Sequence, residues 1–324
     1  MKLSIVTTLY QSGAFVEEFH QRVTAAVQRL TADFEVIYVV DGATDSSLPL
    51  ACRLAADDPR VQVVELSRNF GHHPAIMAGL DRARGERVFL IDSDLEESPE
   101  LLNEFWQTLD SEDLDVVFGQ LETRKGGWLE RITGSLFYWM FNHLAGIEIT
   151  PNLLTVRLMK RRYVNALKQY REREFVFGPM AAHAGYRQRA LTVTKGSRAG
   201  STYTLGRKLA LTLRAITSFS DRPLTLLAGL GLSILGLSGG ALAWALLTRF
   251  VLGRPVPGFT SLLVSIWFLG GLTIFAVGVT GLYVGRVFRE VKGRPRVHVR
   301  QVHGADLPAE DRQRVQEVDE VTSC

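Results

Sequence analysis

Cysteine is nearly missing. Cys52 and Cys324 are the only two in 324 residues, too few for a disulfide framework and without the spacing of a zinc site. Neither G-x-G-x-x-G nor G-x-x-x-x-G-K-[ST] follows any run that reads as a strand, which argues against a dinucleotide oxidoreductase and a P-loop enzyme. No signal peptide is expected, because "MKLSIVTTLY" is too short and reads as a strand. Charge is missing from two long stretches, residues 224–248 and 259–285. About 20 apolar residues cross a bilayer core, so each stretch is a candidate spanning helix. The connector "RFVLGRPVPG" is short and rich in Pro and Gly, which makes the pair a hairpin with both ends on one side. The tail beyond it carries Arg286, Arg289, Lys292, Arg294, Arg296 and Arg300, against only Arg249 and Arg254 in the connector. The positive-inside rule then places the tail and the large N-terminal part in the cytoplasm.

What is present before residue 222 has the mixed charge of a soluble domain. "LSIVTTL", "FEVIYVV", "VQVVEL", "RVFLI" and "LDVVFG" read as strands, and residues 15–30, 46–56, 74–83 and 99–109 read as the helices between them. Such alternation predicts an α/β domain with a mostly parallel sheet covered on both faces. Ligands of such sheets bind outside the carboxyl ends of the strands, where "DGATD" (residues 41–45) and "DSDLE" (residues 92–96) fall. Asp92, Asp94 and Glu96 at alternate positions repel one another and call for a cation. Mg²⁺ or Mn²⁺ takes carboxylate oxygens and keeps sites for phosphate. Glu97 and Glu100 instead suit the amino end of the following helix, whose dipole they complement. His72, His73 and His183 have no acidic neighbour at ligand spacing and read as structural, and "REREF" (residues 171–175) reads as a solvated helix end.

Taken together, "VDGATD", the run from "SRNFGHHPAIMAGLDRARGERVFLIDSDLEESPELL", "GSLFYWMFNHL", "VRLMKRRYVNAL", "SFSDRPL" and the second apolar run resemble the polyprenyl-phosphate glycosyltransferases of GT-A type, relatives of dolichyl-phosphate mannose synthase with a membrane hairpin. The resemblance extends to about residue 295. It implies a GT-A nucleotide-sugar-binding domain (residues 1–203), a juxtamembrane amphipathic helix (204–221), a transmembrane hairpin (222–288) and a basic cytoplasmic tail (289–324). The residues 126–146 and 204–220 have the amphipathic pattern of interfacial helices. Carried over by position, Asp92 and Asp94 are catalytic and hold the metal, with Glu96, where the family commonly has Gln, as a third contact. Asp41, Asn69, Arg124 and Arg198 face the donor, while Arg131, catalytic together with the two aspartates, and Ser135 place the acceptor phosphate. The chain departs from the family pattern at Val40, at Leu121, and at Thr155, where many relatives have an Asp.

The implied reaction moves a sugar from a nucleotide sugar, UDP-sugar ahead of GDP-sugar, to polyprenyl phosphate at the inner (cytoplasmic) membrane. A phosphate acceptor is already an anion, so positioning and electrostatics can carry the transfer without a general base. None of Trp106, Trp128, Trp139, Trp244 or Trp267 follows Gln-x-x-Arg, which weighs against a processive polysaccharide synthase. The alternatives are transfer to a hydroxyl of a lipid-linked glycan, and a catalytically silent membrane scaffold. The expected partners are the nucleotide sugar, polyprenyl phosphate and the lipid bilayer, not nucleic acid; a homo-oligomer is left open.

Overall fold

The structure, a computed structural model, describes residues 1–121, 153–173, 175–193 and 258–304, with parts of 224–244. The chain divides into two compact units, Met1–Tyr138 and Ile147–Tyr203 with Pro295–Cys324, and Trp139–Gly146 with Thr204–Arg294.

The first unit is built on strands β1 (Leu3–Leu9), β2 (Phe34–Val40), β3 (Val61–Leu66), β4 (Arg87–Leu90), β5 (Val116–Leu121), β6 (Leu153–Lys160), β7 (Gln188–Val193) and β8 (Val299–His303). Among the described residues they form one sheet in the order β7-β5-β6-β4-β1-β2-β3-β8. The run β4-β1-β2-β3 is parallel throughout, as is β5 with β7. β6 enters antiparallel between β4 and β5, and β8 closes the β3 edge antiparallel. The fold is therefore α/β and GT-A-like, with a mostly parallel sheet.

Strand β2 shows why these residues choose a sheet. All seven are buried, with Phe34, Val36, Tyr38 and Val40 in the core on one face and Ile37 and Val39 in the core on the other. Period-two alternation of β-branched and aromatic residues fills both faces at once. Helices α1 (Val16–Gln28), α2 (Ser47–Asp57) and α4 (Leu101–Ser111) cover the first face through Phe19, Ala51 and Phe105. Helices α3 (His72–Arg82), α5 (Arg161–Gln169) and α6 (Phe177–His183) cover the second through Ile76, Tyr163 and Met180. A Cβ on Gly79 would meet Val6 Cγ1 at 2.4 Å, so this glycine lets α3 lie directly on the sheet. α3 begins two residues ahead of the expected Pro74, since proline is tolerated in a first turn where its missing N–H has no partner to lose.

In the second unit, α7 (Phe259–Val291) runs for 33 residues, about 50 Å at 1.5 Å per residue. Its segment Phe268–Val291, of mean hydropathy 1.7, is long and apolar enough to cross a membrane by length and composition. Ile274, Phe275 and Val277 are among its exposed apolar side chains. It is the one such helix among the described residues. Residues 227–234 of the first apolar run are helical, but most of that run lies outside the described residues, so the structure supports one spanning candidate where the sequence reading expected two. The expected amphipathic stretches 126–146 and 204–220 also lie outside them.

Candidate active site

In the sheet order, the connection reverses direction between β1 and β4. A crevice opens there at the carboxyl ends of the strands, the usual ligand position in an open α/β sheet. Asp92, Ser93 and Asp94 follow β4 directly into it, continuing the ladder through Ile91 N–H to the Val6 carbonyl (3.1 Å). Ser93 is buried, its Oγ 3.0 Å from the Thr8 carbonyl and 3.2 Å from Ser12 Oγ, so the middle residue of the motif ties β4 to β1. Asp94 Oδ1 accepts the Glu96 N–H at 3.1 Å, an aspartate turn onto its own backbone. Gln11 and Leu95, on the two sides of the crevice, have φ of 54° and 59°, a region that non-glycine residues seldom adopt and that concentrates at functional sites.

The cation that the acidic motif demanded has a protein component. Arg157, on β6 opposite Leu90, is 2% exposed, and the negative charges of Glu97 and Asp92 support its own. Its Nε donates to the Thr155 carbonyl at 3.0 Å, its Nη2 to the Leu154 carbonyl at 3.1 Å, and its guanidinium lies 4.6 Å from the Phe177 ring centre. Burial lowers its pKa. Glu97, expected only to complement the amino end of the following helix, is buried and also belongs to this charge cluster. Glu100 does stand at the start of α4, paired with Arg22 at 2.8 Å, which together with Ser98 holds its carboxyl down to about 2.

A second departure concerns the histidines. His72 Nε2 lies 3.6 Å from Asp92 Oδ1 and its Nδ1 lies 3.2 Å from Thr8 Oγ1, which puts this residue at the crevice rather than in a structural role. Its acidic neighbour is 20 positions along the chain, and only the sheet order brings the two together. His73 is mostly buried behind it, and burial, then His72 and Arg157, push its imidazole down to about 4. His183 is structural, its Nδ1 2.8 Å from the Tyr170 hydroxyl. A cavity of about 220 Å³ lies beside the crevice, lined by His72, His73, Thr155, Arg157, Phe177 and Pro179 among others. Thr155 is therefore brought to the site, where it presents a neutral hydroxyl-bearing residue.

Asp41 is 2% exposed and grips the β3–α3 loop: Oδ1 accepts the Phe70 N–H at 2.7 Å and Oδ2 the Gly71 N–H at 2.9 Å. Burial pushes its carboxyl up against the opposing pull of those two bonds. A donor contact through Asp41 would have to use the lone pairs these amides leave. Gly42, at φ +62°, lets the two loops touch, since a Cβ there would sit 2.3 Å from the Asn69 nitrogen. Asn69 is exposed beside it, and Arg68 stacks on Phe70 at 4.3 Å. Arg124, Arg131, Ser135 and Arg198 lie outside the described residues.

Asp92, Asp94 and Glu96 do not form a ready cage: among the described residues no group of three His, Cys, Asp or Glu side chains could hold a metal. The donor set still suits a hard cation, because Mg²⁺ is commonly bound through one or two carboxylates plus substrate phosphates.

A mostly parallel α/β sheet with paired aspartates at its switch point places the domain in the GT-A-like fold class. Comparison with known proteins gives the family. The profile described as Glycosyl transferase family 2 matches residues 4–191. A protein of Mycobacterium tuberculosis named "Putative glycosyltransferases" is 44% identical over 307 residues, covering 95% of this chain and 90% of that one. The "Bactoprenol glucosyl transferase" of Shigella phage SfII is 34% identical over 309 residues, covering 94% of this chain and 99% of its own. Among solved structures, glucosyl-3-phosphoglycerate synthase from Mycobacterium tuberculosis aligns with a TM-score of 0.49 at 16% identity over 68% of this chain and 78% of that one, too loosely to bear on substrates. The chain belongs to glycosyl transferase family 2, and it is a glycosyltransferase.

Proposed function

We propose that the protein is a membrane-bound inverting glycosyltransferase that moves a sugar from a nucleotide sugar to polyprenyl phosphate. The observation that carries this reading is the near full-length similarity to bactoprenol glucosyl transferases, membrane-directed segment included. The donor is a UDP-sugar ahead of a GDP-sugar. The division of labour is the one expected from sequence: residues 1–203 catalytic, 204–221 juxtamembrane, 222–288 a two-helix hairpin and 289–324 a cytoplasmic tail, at the inner membrane. The second apolar helix and the basic residues that follow it support that orientation.

Asp92 and Asp94, with Glu96 beside them, would hold Mg²⁺ or Mn²⁺. A bound divalent cation supplies positive charge opposite the donor diphosphate as that group departs. Arg157 lies within electrostatic reach of Asp92 and His72 Nε2 stands 3.6 Å from its Oδ1, so both flank the carboxylate that would hold the cation. Asp41, Asn69, Arg124 and Arg198 would bind the donor, and Arg131 with Ser135 the acceptor phosphate. That phosphate, already anionic, attacks the anomeric carbon directly, and the neutral Thr155 fits a site that needs no base. Transfer to a hydroxyl is the second reading, which His72 at the crevice favours as the imidazole at hand.

The kinetic split between two variants tests the proposal. Arg131→Ala should raise the KM for polyprenyl phosphate and leave donor binding intact, with Arg131→Lys between, because only Arg forms two parallel bonds to phosphate. Asp94→Asn should abolish metal-dependent turnover. Donor binding lost in Arg131→Ala with normal acceptor kinetics would move this residue to the diphosphate site.

A further inference from the structure

We propose that residues 295–304, which follow the membrane-directed helix, are a brace that positions the donor loop 67–73, with His298 as its positioning residue. This inference rests on the donor reading above. In chain order the second unit, up to Arg294, is followed by a return to the first unit at Pro295. The sequence reading set this part of the chain aside as a basic tail, yet it completes the sheet.

Its anchor is β8. Val302 and His303 pair with Val64 and Val63, Gln301 with Glu65, and Val299 with Leu66 across a bulge. Without β8 the parallel run would end in an open, apolar β3 edge, which natural sheets avoid. Val302 is 5% exposed, Glu65 accepts from Arg300 Nη1 (3.2 Å), and His303 Nε2 lies 3.4 Å from its other oxygen, which fixes the register. Gly304 ends the strand at φ +128°, with no room for a Cβ beside the Val61 carbonyl.

From this anchor the brace reaches both flanks of the loop. The His298 carbonyl accepts the Ser67 N–H at 2.9 Å, and the His298 ring lies 6.0 Å from the Phe70 ring. Phe70 and Gly71 are the residues whose N–H groups hold Asp41. On the other flank, Arg296 Nε donates to the Glu172 carbonyl at 3.1 Å, and its guanidinium lies 5.4 Å from the Phe175 ring. Arg171 and Glu172 of "REREF" are exposed as expected, but Phe175 at its end is 7% exposed and is a core contact. Its ring lies 6.4 Å from that of His73, whose ring lies 5.5 Å from that of His72, which faces Asp92. One short stretch therefore supports the Asp41 clamp at one end of the loop and the His72–Asp92 contact at the other.

The test uses the full-length protein in detergent with His298→Ala, His298→Phe and Phe70→Leu. The two readouts are amide hydrogen exchange at residues 70 and 71, and the separate KM values for donor and acceptor. His298→Ala and Phe70→Leu should each speed exchange and raise the donor KM by about fivefold, the scale of one lost aromatic pair, with acceptor KM and kcat within about twofold. His298→Phe, which keeps an aromatic ring, should restore both. Unchanged exchange and donor KM in His298→Ala, or an equal loss toward both substrates that His298→Phe does not restore, would overturn the brace. If no nucleotide sugar is turned over at all, the functional reading fails, while the exchange arm still decides whether the brace holds the loop.

Discussion

Removing the charge of Arg157 while keeping its length, as in Arg157→Met, isolates what holds the acidic motif in place. Wild-type Arg157 is 2% exposed and donates to two carbonyls, at 3.0 and 3.1 Å, within a cluster that includes Asp92 and Glu97. Leaving a buried charge without its partner costs about 3–5 kcal/mol, and the loss of each charge-assisted bond to a carbonyl adds to it at about 1.5–3 kcal/mol. The apolar packing of Met returns part of this, so a net loss of about 3–5 kcal/mol is expected. Arg157→Lys keeps the charge but not the forked donor and should lose roughly half as much. Denaturant unfolding of purified full-length protein measures the stability, and donor binding with and without divalent cation measures the site. Metal-dependent donor binding should weaken in Arg157→Met because the buried positive charge behind Asp92 is then gone. A stability within about 0.5 kcal/mol of wild type, the ordinary range for a surface change, would refute the reasoning, for Asp92 and Glu97 would then owe nothing to Arg157.

Three further outcomes are expected. His73, held neutral with a folded pKa of about 4 against an ordinary 6.5, lets the unfolded state bind its proton first as pH falls. Its contribution is complete above 6.5 and declines toward 4, and the loss from about pH 7.5 to about pH 5 should be about 2 kcal/mol, absent in His73→Leu. Gly42→Ala should destabilise the protein by more than about 1 kcal/mol and weaken donor binding, because φ is positive there and the Asn69 backbone occupies the Cβ position; a normal melting temperature would contradict this. In a background with Cys52 and Cys324 replaced by Ser, Arg254→Cys should be labelled from outside the cell and Arg300→Cys only after permeabilisation, and the reverse pattern would overturn the cytoplasmic orientation.

Much of the parallel sheet was legible because its signals are local. The five apolar runs became β1 to β5 and the four intervening patterns became α1 to α4, with ends shifted by a residue or two. The acidic motif was legible as a site because it directly follows a strand. What was missed depends on pairing over long separations. "LLTVRLMK" has no clean alternation, and its antiparallel place beside β4, which puts Arg157 opposite Leu90, is set by a connection across more than 60 residues. β8 was hidden by its five-residue length and by following a long apolar helix. His72 looked isolated because its partners, Thr8 and Asp92, lie on two other strand ends. The double histidine at the end of the "NFG" loop, next to the switch point, was the signal that could have found it.

The most direct measurement is the mass and anomeric configuration of a lipid product. Purified full-length protein, Mg²⁺ or Mn²⁺, undecaprenyl phosphate and a panel of nucleotide sugars are incubated together, and the lipid fraction is analysed intact. The account predicts a polyprenyl phosphate enlarged by one sugar, joined through its phosphate with inverted configuration, formed from at least one donor and absent with EDTA. A product joined at a hydroxyl, a retained configuration, or undiminished product in EDTA would contradict it.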